Sequence, residues 1–226
     1  MTGDGTVLFV GTGLGRTFGE VTAVDDVSCL VVAGDRIAVT GPSGSGKSTL
    51  LHLVAGIDRP TSGTATWPRL PGGPLQHPGS VGIVFQQPNL LPDLTALENV
   101  QLPLLLAGHT AEAAAEAAAE ALRTLELGHL ADRLPHELSG GQAHRVAVAR
   151  AVAGRPELVV ADEPTAALDG PTAAHLAAAL LATVERVGAA LLIATHDETV
   201  AARMRTSWSM THGTLTRTTP IGADTC

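Results

Sequence analysis

The segment Gly41-Pro42-Ser43-Gly44-Ser45-Gly46-Lys47-Ser48-Thr49 limits what this chain can fold into more than any other stretch. The apolar run Ile37-Ala38-Val39 precedes it and Leu50-Leu51-His52-Leu53-Val54 follows. That succession predicts a strand, a glycine-rich turn and a helix. The pattern G-x-x-x-x-G-K-[ST] is complete from Gly41 to Ser48. Glycines at 41, 44 and 46 allow left-handed backbone that a side chain would oppose. Curled N–H groups and a helix N-terminus then face one pocket suited to anionic oxygens. Lys47, the only lysine of the chain, reaches the outer phosphates as a point charge, and the Ser48 hydroxyl is placed to hold Mg²⁺. A flexible glycine–serine linker with a surface lysine is the alternative, but it leaves the flanking strand and helix unexplained.

A chain of 226 residues suits one large α/β domain or a domain with subdomains, and can bury a sizeable core. Hydrophobic residues make up 45%, carried by Ala, Leu and Val, with aromatic residues at only 2% and no tyrosine. A net charge of −8 and the lack of any Lys/Arg cluster argue against a nucleic-acid groove. Cys29 and Cys226 fit no metal or redox spacing, so a reduced, cytosolic protein is expected. The start, Met1-Thr2-Gly3-Asp4-Gly5, lacks the cationic and apolar regions of a signal peptide, and no apolar run reaches the length of a membrane span.

Residues 6–40 alternate apolar and polar positions with glycine punctuation and predict short strands flanking the loop. Phe18, in the turn-like Arg16-Thr17-Phe18-Gly19, either stacks on a purine or packs in the core. Residues 57–80, rich in proline and glycine, read as a connecting hairpin and loop with Trp67 in a short strand. Val81-Gly82-Ile83-Val84-Phe85 is a buried strand ending at Gln86, on the edge where open α/β sheets bind ligands. From Thr95 to Ala153 the period turns helical, with Leu97, Val100, Leu104 and Leu105 proposed as one apolar face. The alanine-rich tract from Thr110 to Leu127 carries Glu112, Glu116 and Glu120 on one solvated side.

Leu138-Ser139-Gly140-Gly141-Gln142 opens a helix reaching Ala153. Ser139 serves there as an N-cap, and the same helix end accommodates a phosphate equally well. Leu158-Val159-Val160-Ala161 is a buried strand with Asp162-Glu163 at its carboxyl end. Paired acids there call for partners, because burying charge is costly. One role is to hold Mg²⁺; the other is to take a proton from an attacking water. Asp169 stands at a helix entry with Pro171 at the first helical position, which leaves room for a site role as well. Ala190-Leu191-Leu192-Ile193-Ala194 is another buried strand, and Thr195-His196-Asp197 emerges from its end toward the same edge. The remaining histidines, His52, His77, His109, His129, His144, His175 and His212, read as incidental.

In order, Gly41–Thr49, Gln86, Leu138–Gln142, Val159–Pro164, Asp169 and His196 resemble the Walker A, Q-loop, signature, Walker B, D-loop and H-loop motifs of ABC transporter ATPases. The resemblance runs from about Val7 to Leu215. The wording Val84-Phe85-Gln86, Asn89-Leu90-Leu91-Pro92 and Glu163-Pro164-Thr165 is similar to the subgroup serving lipoprotein release, macrolide efflux and related export. It implies a P-loop NTPase of α/β class: a RecA-like core with an N-terminal antiparallel β-subdomain and an inserted α-helical subdomain. The implied boundaries are 1–87 and 156–218 for the core with its β-subdomain, 88–155 for the helical part and 219–226 for a tail.

The resemblance also implies roles. Gly41, Pro42, Ser43, Gly44, Ser45, Gly46, Lys47, Ser48 and Thr49 hold the phosphates of ATP, and Ser48, Gln86 and Asp162 surround Mg²⁺. Glu163 is the general base, and His196 contacts the γ-phosphate. Phe18 takes the place of the adenine-stacking aromatic. Ser139, Gly140, Gly141 and Gln142 cap a nucleotide held by the other subunit, with Asp169 at the dimer interface. The implied assembly is a head-to-tail homodimer or paired cassette, cytoplasmic and peripheral on the inner face of the cell membrane, docked under a separate permease. A non-transport ABC ATPase of DNA repair or translation is the rival, and it fits poorly with an acidic chain lacking zinc-ligand cysteines. A regulatory module that binds but does not hydrolyse fits poorly with Glu163 and His196. The sequence departs from the family at Ala143-His144, where two glutamines are usual, at Phe18, where tyrosine is usual, and in the shortened segment between Gly63 and Gln86.

Overall fold

Two 12-residue strands, β1 (Val7–Phe18) and β2 (Val21–Val32), form an antiparallel hairpin in a computed structural model that describes residues 6–218. They are longer than the alternation predicts. Register shifts between Val7 and Phe9 and at three points from Gly11 to Thr17 break the period of two, so one bulged strand reads as several short ones. β3 (Arg36–Thr40) is the apolar run before the glycine-rich turn, and α1 (Lys47–Ala55) is the helix after it. β4 (Ser62–Thr66) pairs with the free side of β1 and completes the order β2-β1-β4. Trp67 falls just outside β4. Its ring lies 5.3 Å from that of Phe9, and its Nε1 donates to Val54 O, so it packs under α1 instead of extending the strand.

β5 (Val81–Val84), α2 (Ala96–Leu106), α3 (Ala111–Thr124), α4 (Gly140–Val152), β6 (Leu158–Asp162) and α5 (Gly170–Val187) follow. After these come β7 (Ala190–Ala194), the single turn α6 (Glu198–Ala201), β8 (Thr206–Thr211) and β9 (Thr214–Thr218). The chain divides into two compact units: residues up to 76, 160–163 and from 190 onward, and residues 77–159 with 164–189. The tail 219–226, the start Met1–Gly5 and Cys226 lie outside the described residues, while Cys29 is a buried free thiol.

In the first unit the end of β6, then β7, β3, β8 and β9 lie side by side in that order. β3 is parallel to both β7 and β8, with Val39 opposite Ala194 and Trp208. The chain therefore leaves β3 and β7 at one edge. Both β6 and β7 are buried at every position, which explains their unbroken apolar runs.

In the second unit α4 packs against β5, α2, α3 and α5, and α2 against α3. Its buried Val146, Ala147, Val148, Ala149 and Val152 form the centre of that core. Each buried valine contributes about 1.5–3 kcal/mol relative to exposure. Thr95 caps α2 in a reciprocal box with Glu98, and Thr110 caps α3. The face α2 buries is Ala96, Asn99, Val100 and Leu104; Leu105 points to solvent. A polar residue thus takes a core position that apolar periodicity assigns elsewhere. The two hydrogens of the Asn99 amide nitrogen are shared among Leu91 O, Leu94 O and Thr95 O, and its Oδ1 accepts from Leu91 N–H, so the side chain is bonded to the loop that precedes α2. On α3, Ala114, Ala118, Ala121 and Leu122 face inward and Glu112, Glu116 and Glu120 are exposed, as the alanine-rich tract predicts.

Candidate functional site

The glycine-rich turn closes against the first unit's own backbone. Gly41 has φ 140° and Gly46 φ 99°, and a Cβ on either would run into a carbonyl, Met210 O and Ala23 O respectively. Only glycine fits at these two places. Gly46 is the N-cap of α1 and has no side chain to cap it, which leaves the helix N-terminus to backbone donors and to whatever anion it meets. Ser45 Oγ is buried without a hydrogen-bond partner among the described residues. Lys47 is 6% exposed, and its Nζ donates to Gly41 O at 3.0 Å and Pro42 O at 3.1 Å. A third neighbour, Glu163 Oε1, stands 3.4 Å away.

Glu163 is the hub of this cluster. Its Oε2 is 3.5 Å from His196 Nδ1, so one carboxylate lies between an ammonium and an imidazole. Its backbone adopts φ 41°, in the left-handed region that a non-glycine side chain disfavours by about 1–2 kcal/mol. The Glu163 N–H donates to Ala194 O, which fixes the residue against the end of β7. Asp162, one residue earlier, is 8% exposed and accepts from Ser48 Oγ at 3.0 Å. Burial pushes its carboxyl above the usual aspartate range, while the Ser48 hydroxyl, His52 and Lys47 pull it back down. His52 Nε2 stands 4.0 Å from Asp162 Oδ2. It lies one helical turn beyond Ser48, and that four-residue spacing is the signal that places it beside the acid.

A hydroxyl and a buried carboxylate 3.0 Å apart are hard oxygen donors. They fit Mg²⁺, which binds through one or two protein oxygens with phosphate and water completing its shell.

Phe18 ends β1 beside a two-residue turn and is 48% exposed, so it is not a core residue. The Arg16 guanidinium lies over its ring, 4.4 Å from the centroid, and Arg16 Nε is held by Asp58 at 2.8 Å.

In the second unit Ser139 caps α4: its Oγ accepts from Gln142 N–H at 3.3 Å, and Gln142 Oε1 accepts from Ser139 N–H at 2.8 Å. Ser139 and Gly140 are exposed. A Cβ at Gly141 would come within 2.5 Å of the Thr172 methyl, so glycine permits the starts of α4 and α5 to approach. Asp169 caps α5 through Thr172 N–H at 3.1 Å and the Thr172 hydroxyl at 2.9 Å; these bonds, the N–H first, hold its carboxyl below the usual range. Gly170 is the first residue of α5 and Pro171 the second, one place later than expected, at another position whose N–H the helix does not need. Gln86 is exposed just after β5.

Two histidines read as incidental are not: His52, beside Asp162, and His144. His144 is buried, with Nδ1 2.9 Å from Gly140 O and Nε2 3.1 Å from Gln86 O. The available signal was its place four residues after Gly140, at the point where the sequence departs from the family.

The family model for ABC transporters matches residues 24–166. The chain belongs to this family. As an ABC cassette it is the ATP-binding and ATP-hydrolysing subunit of a transporter. It is 44% identical over 195 residues to the lipoprotein-releasing system ATP-binding protein LolD of Legionella pneumophila (strain Paris), covering 82% of this chain and 85% of that one. It is 43% identical over 190 residues to LolD of Gluconobacter oxydans (strain 621H), covering 81% and 82%. Among solved structures, the dimeric cassette MJ0796 bound to ADP and Pi superposes with a TM-score of 0.83 at 33% identity, covering 94% of this chain and 98% of that one. CbiO1 of Clostridium perfringens, part of the CbiONQ transporter complex, gives 0.80 at 26%, covering 93% and 87%. No helix among the described residues of this ABC cassette is long and apolar enough to cross a membrane.

Proposed function

We propose that this ABC ATPase clasps MgATP between the glycine-rich loop of one cassette and Ser139–Gln142 of a second, and that hydrolysis there drives a separate membrane permease in export. The observation that carries this reading is the placement of Glu163 between Lys47 and His196, beside the Ser48–Asp162 pair. Lys47 and the loop N–H groups bind the phosphates; Ser48, Asp162 and Gln86 hold Mg²⁺. When bound, the ion neutralises charge that builds on the phosphate oxygens. Glu163 takes the proton of the attacking water, and His196 hydrogen-bonds the γ-phosphate. Phe18 stacks on adenine. Ser139 Oγ, which accepts from the Gln142 N–H through one lone pair, keeps its own hydrogen for a γ-phosphate oxygen of the opposite copy.

A phosphate gripped from two sides joins the cassettes, and its release parts them. Asp169 stands at the interface. Support for export comes from the relatives named for lipoprotein release. The exposed Leu106, in a groove lined also by Val81, Phe85, Leu102 and Pro103, suits an apolar segment of the permease at the cytoplasmic membrane face.

The test is purification of the chain from membranes under mild detergent, with mass spectrometry of what accompanies it and phosphate release with and without that partner. A multi-span protein that stimulates turnover supports the reading. Its absence, with turnover independent of membrane proteins, sinks it.

A further inference from the structure

The segment after β5 is held against α4 at three carbonyls, those of Gln86, Pro88 and Asn89. His144 Nε2 lies 3.1 Å from Gln86 O, and the Arg150 guanidinium donates to Pro88 O and Asn89 O, both at 2.8 Å. His144 Nδ1 turns back to Gly140 O at 2.9 Å, the first residue of α4 and the neighbour of Ser139. His144 is 3% exposed, so these bonds form out of competition with water.

Ordinary core filling would not aim both ring nitrogens at carbonyl oxygens of two different elements. In a neutral ring one nitrogen carries the hydrogen and the other only a lone pair, so one of the two contacts at a time is a hydrogen bond, and the Nε2–H tautomer is the one that ties Gln86 O to α4. The segment between them has little regular structure to hold it: Asn89 sits at φ 46°, and no helix or strand covers 85–95.

We infer that His144 is a positioning residue that ties the backbone of Gln86 to the signature end of α4, so that Gln86 and Ser139 are placed by one helix. Arg150 is the second point of attachment, near the other end of the helix. The inference rests on the role proposed above for Gln86. It makes the departure at this position a working substitution: the ring sets an N–H against Gln86 O, as the –NH₂ group of a side-chain amide would.

The experiment is a double-mutant cycle on the full chain, read as kcat and KM for ATP with melting temperature as control. Gln86→Ala alone lowers kcat if Gln86 acts in the site; no change would refute that role and leave the tie without a target. His144→Leu should lower kcat about 10-fold, the scale at which supporting contacts act on a site, with KM for ATP within about 2-fold. In the Gln86→Ala background the same substitution should cost almost nothing further. His144→Gln should restore most of the lost kcat. Should the leucine variant not fold, His144→Asn, whose shorter amide reaches its own helix but not Gln86 O, must show the same loss and the same non-additivity. Equal losses in both backgrounds, or full kcat in His144→Leu, overturn the inference while leaving Gln86's own role standing.

Discussion

Ser48 Oγ donates to Asp162 Oδ1 across 3.0 Å, joining the first turn of α1 to the last residue of β6. Asp162→Asn keeps an acceptor for Ser48 but removes the charge. Transition-state stabilisation by a metal is worth several kcal/mol, so kcat/KM with MgATP should fall about 100-fold or more. Stability should move the other way. Burial raises the Asp162 carboxyl in the folded state, so its favourable contribution is present at acid pH and is lost as pH rises through the folded value. At neutral pH without nucleotide the asparagine variant should therefore melt no lower than the parent. Calorimetric melting beside a phosphate-release assay checks both.

Glu163→Gln keeps the shape of the side chain between Lys47 and His196 and removes its basicity. Turnover should drop by about 10²–10⁴-fold, the range of general base catalysis. ATP affinity should stay within a few-fold, and gel filtration with ATP should show an accumulating dimer. A monomer with undiminished hydrolysis would remove Glu163 from its assigned role.

Phe18 is half exposed, with Arg16 against its ring. If adenine stacks there, Phe18→Ala should weaken ATP binding by about 1–3 kcal/mol, a roughly 5- to 150-fold change by titration calorimetry. Affinity for tripolyphosphate, which has no base, should be unaltered. Equal losses for both ligands would place Phe18 outside the base contact.

Glu98 and Glu137 both lie below the usual glutamate range, held there first by the backbone N–H groups of Thr95 and Leu134 and then by the Thr95 hydroxyl and by Arg133. A lowered carboxylate stabilises above its unfolded value, and that stability is lost as pH falls through the folded one. Replacing both with glutamine keeps an oxygen acceptor that takes up no proton. Circular-dichroism melts from pH 6 down to about 3 should show a smaller fall in melting temperature for the double variant. Parallel curves would mean these caps contribute no acid sensitivity.

The glycine turn, the buried strands and the order of the acids were legible in the sequence because backbone chemistry leaves few alternatives. Gly41 and Gly46 meet carbonyls that exclude any side chain, and β6 and β7 are covered at every residue. What escaped was decided by tertiary packing. Bulges in β1 hid its length, and Asn99 took a core place because the loop before it needed its amide. The apolar periodicity that puts Leu105 on the buried face of α2 is overruled by the neighbours of that helix. His144 was invisible as a contact since its second partner, Gln86 O, lies 58 residues away. Trp67 read as strand by composition, yet its Nε1 is spent on Val54 O.

The oxygen of Ser139 seals the first turn of α4 from within. If it also touches nucleotide, folding and turnover hang on a single atom. Alanine there would loosen a helix end and strip a ligand contact in one stroke, so a dead enzyme would not say which was lost. Threonine would tell them apart: it can seal the turn as serine does, and only its extra methyl would crowd a neighbouring copy.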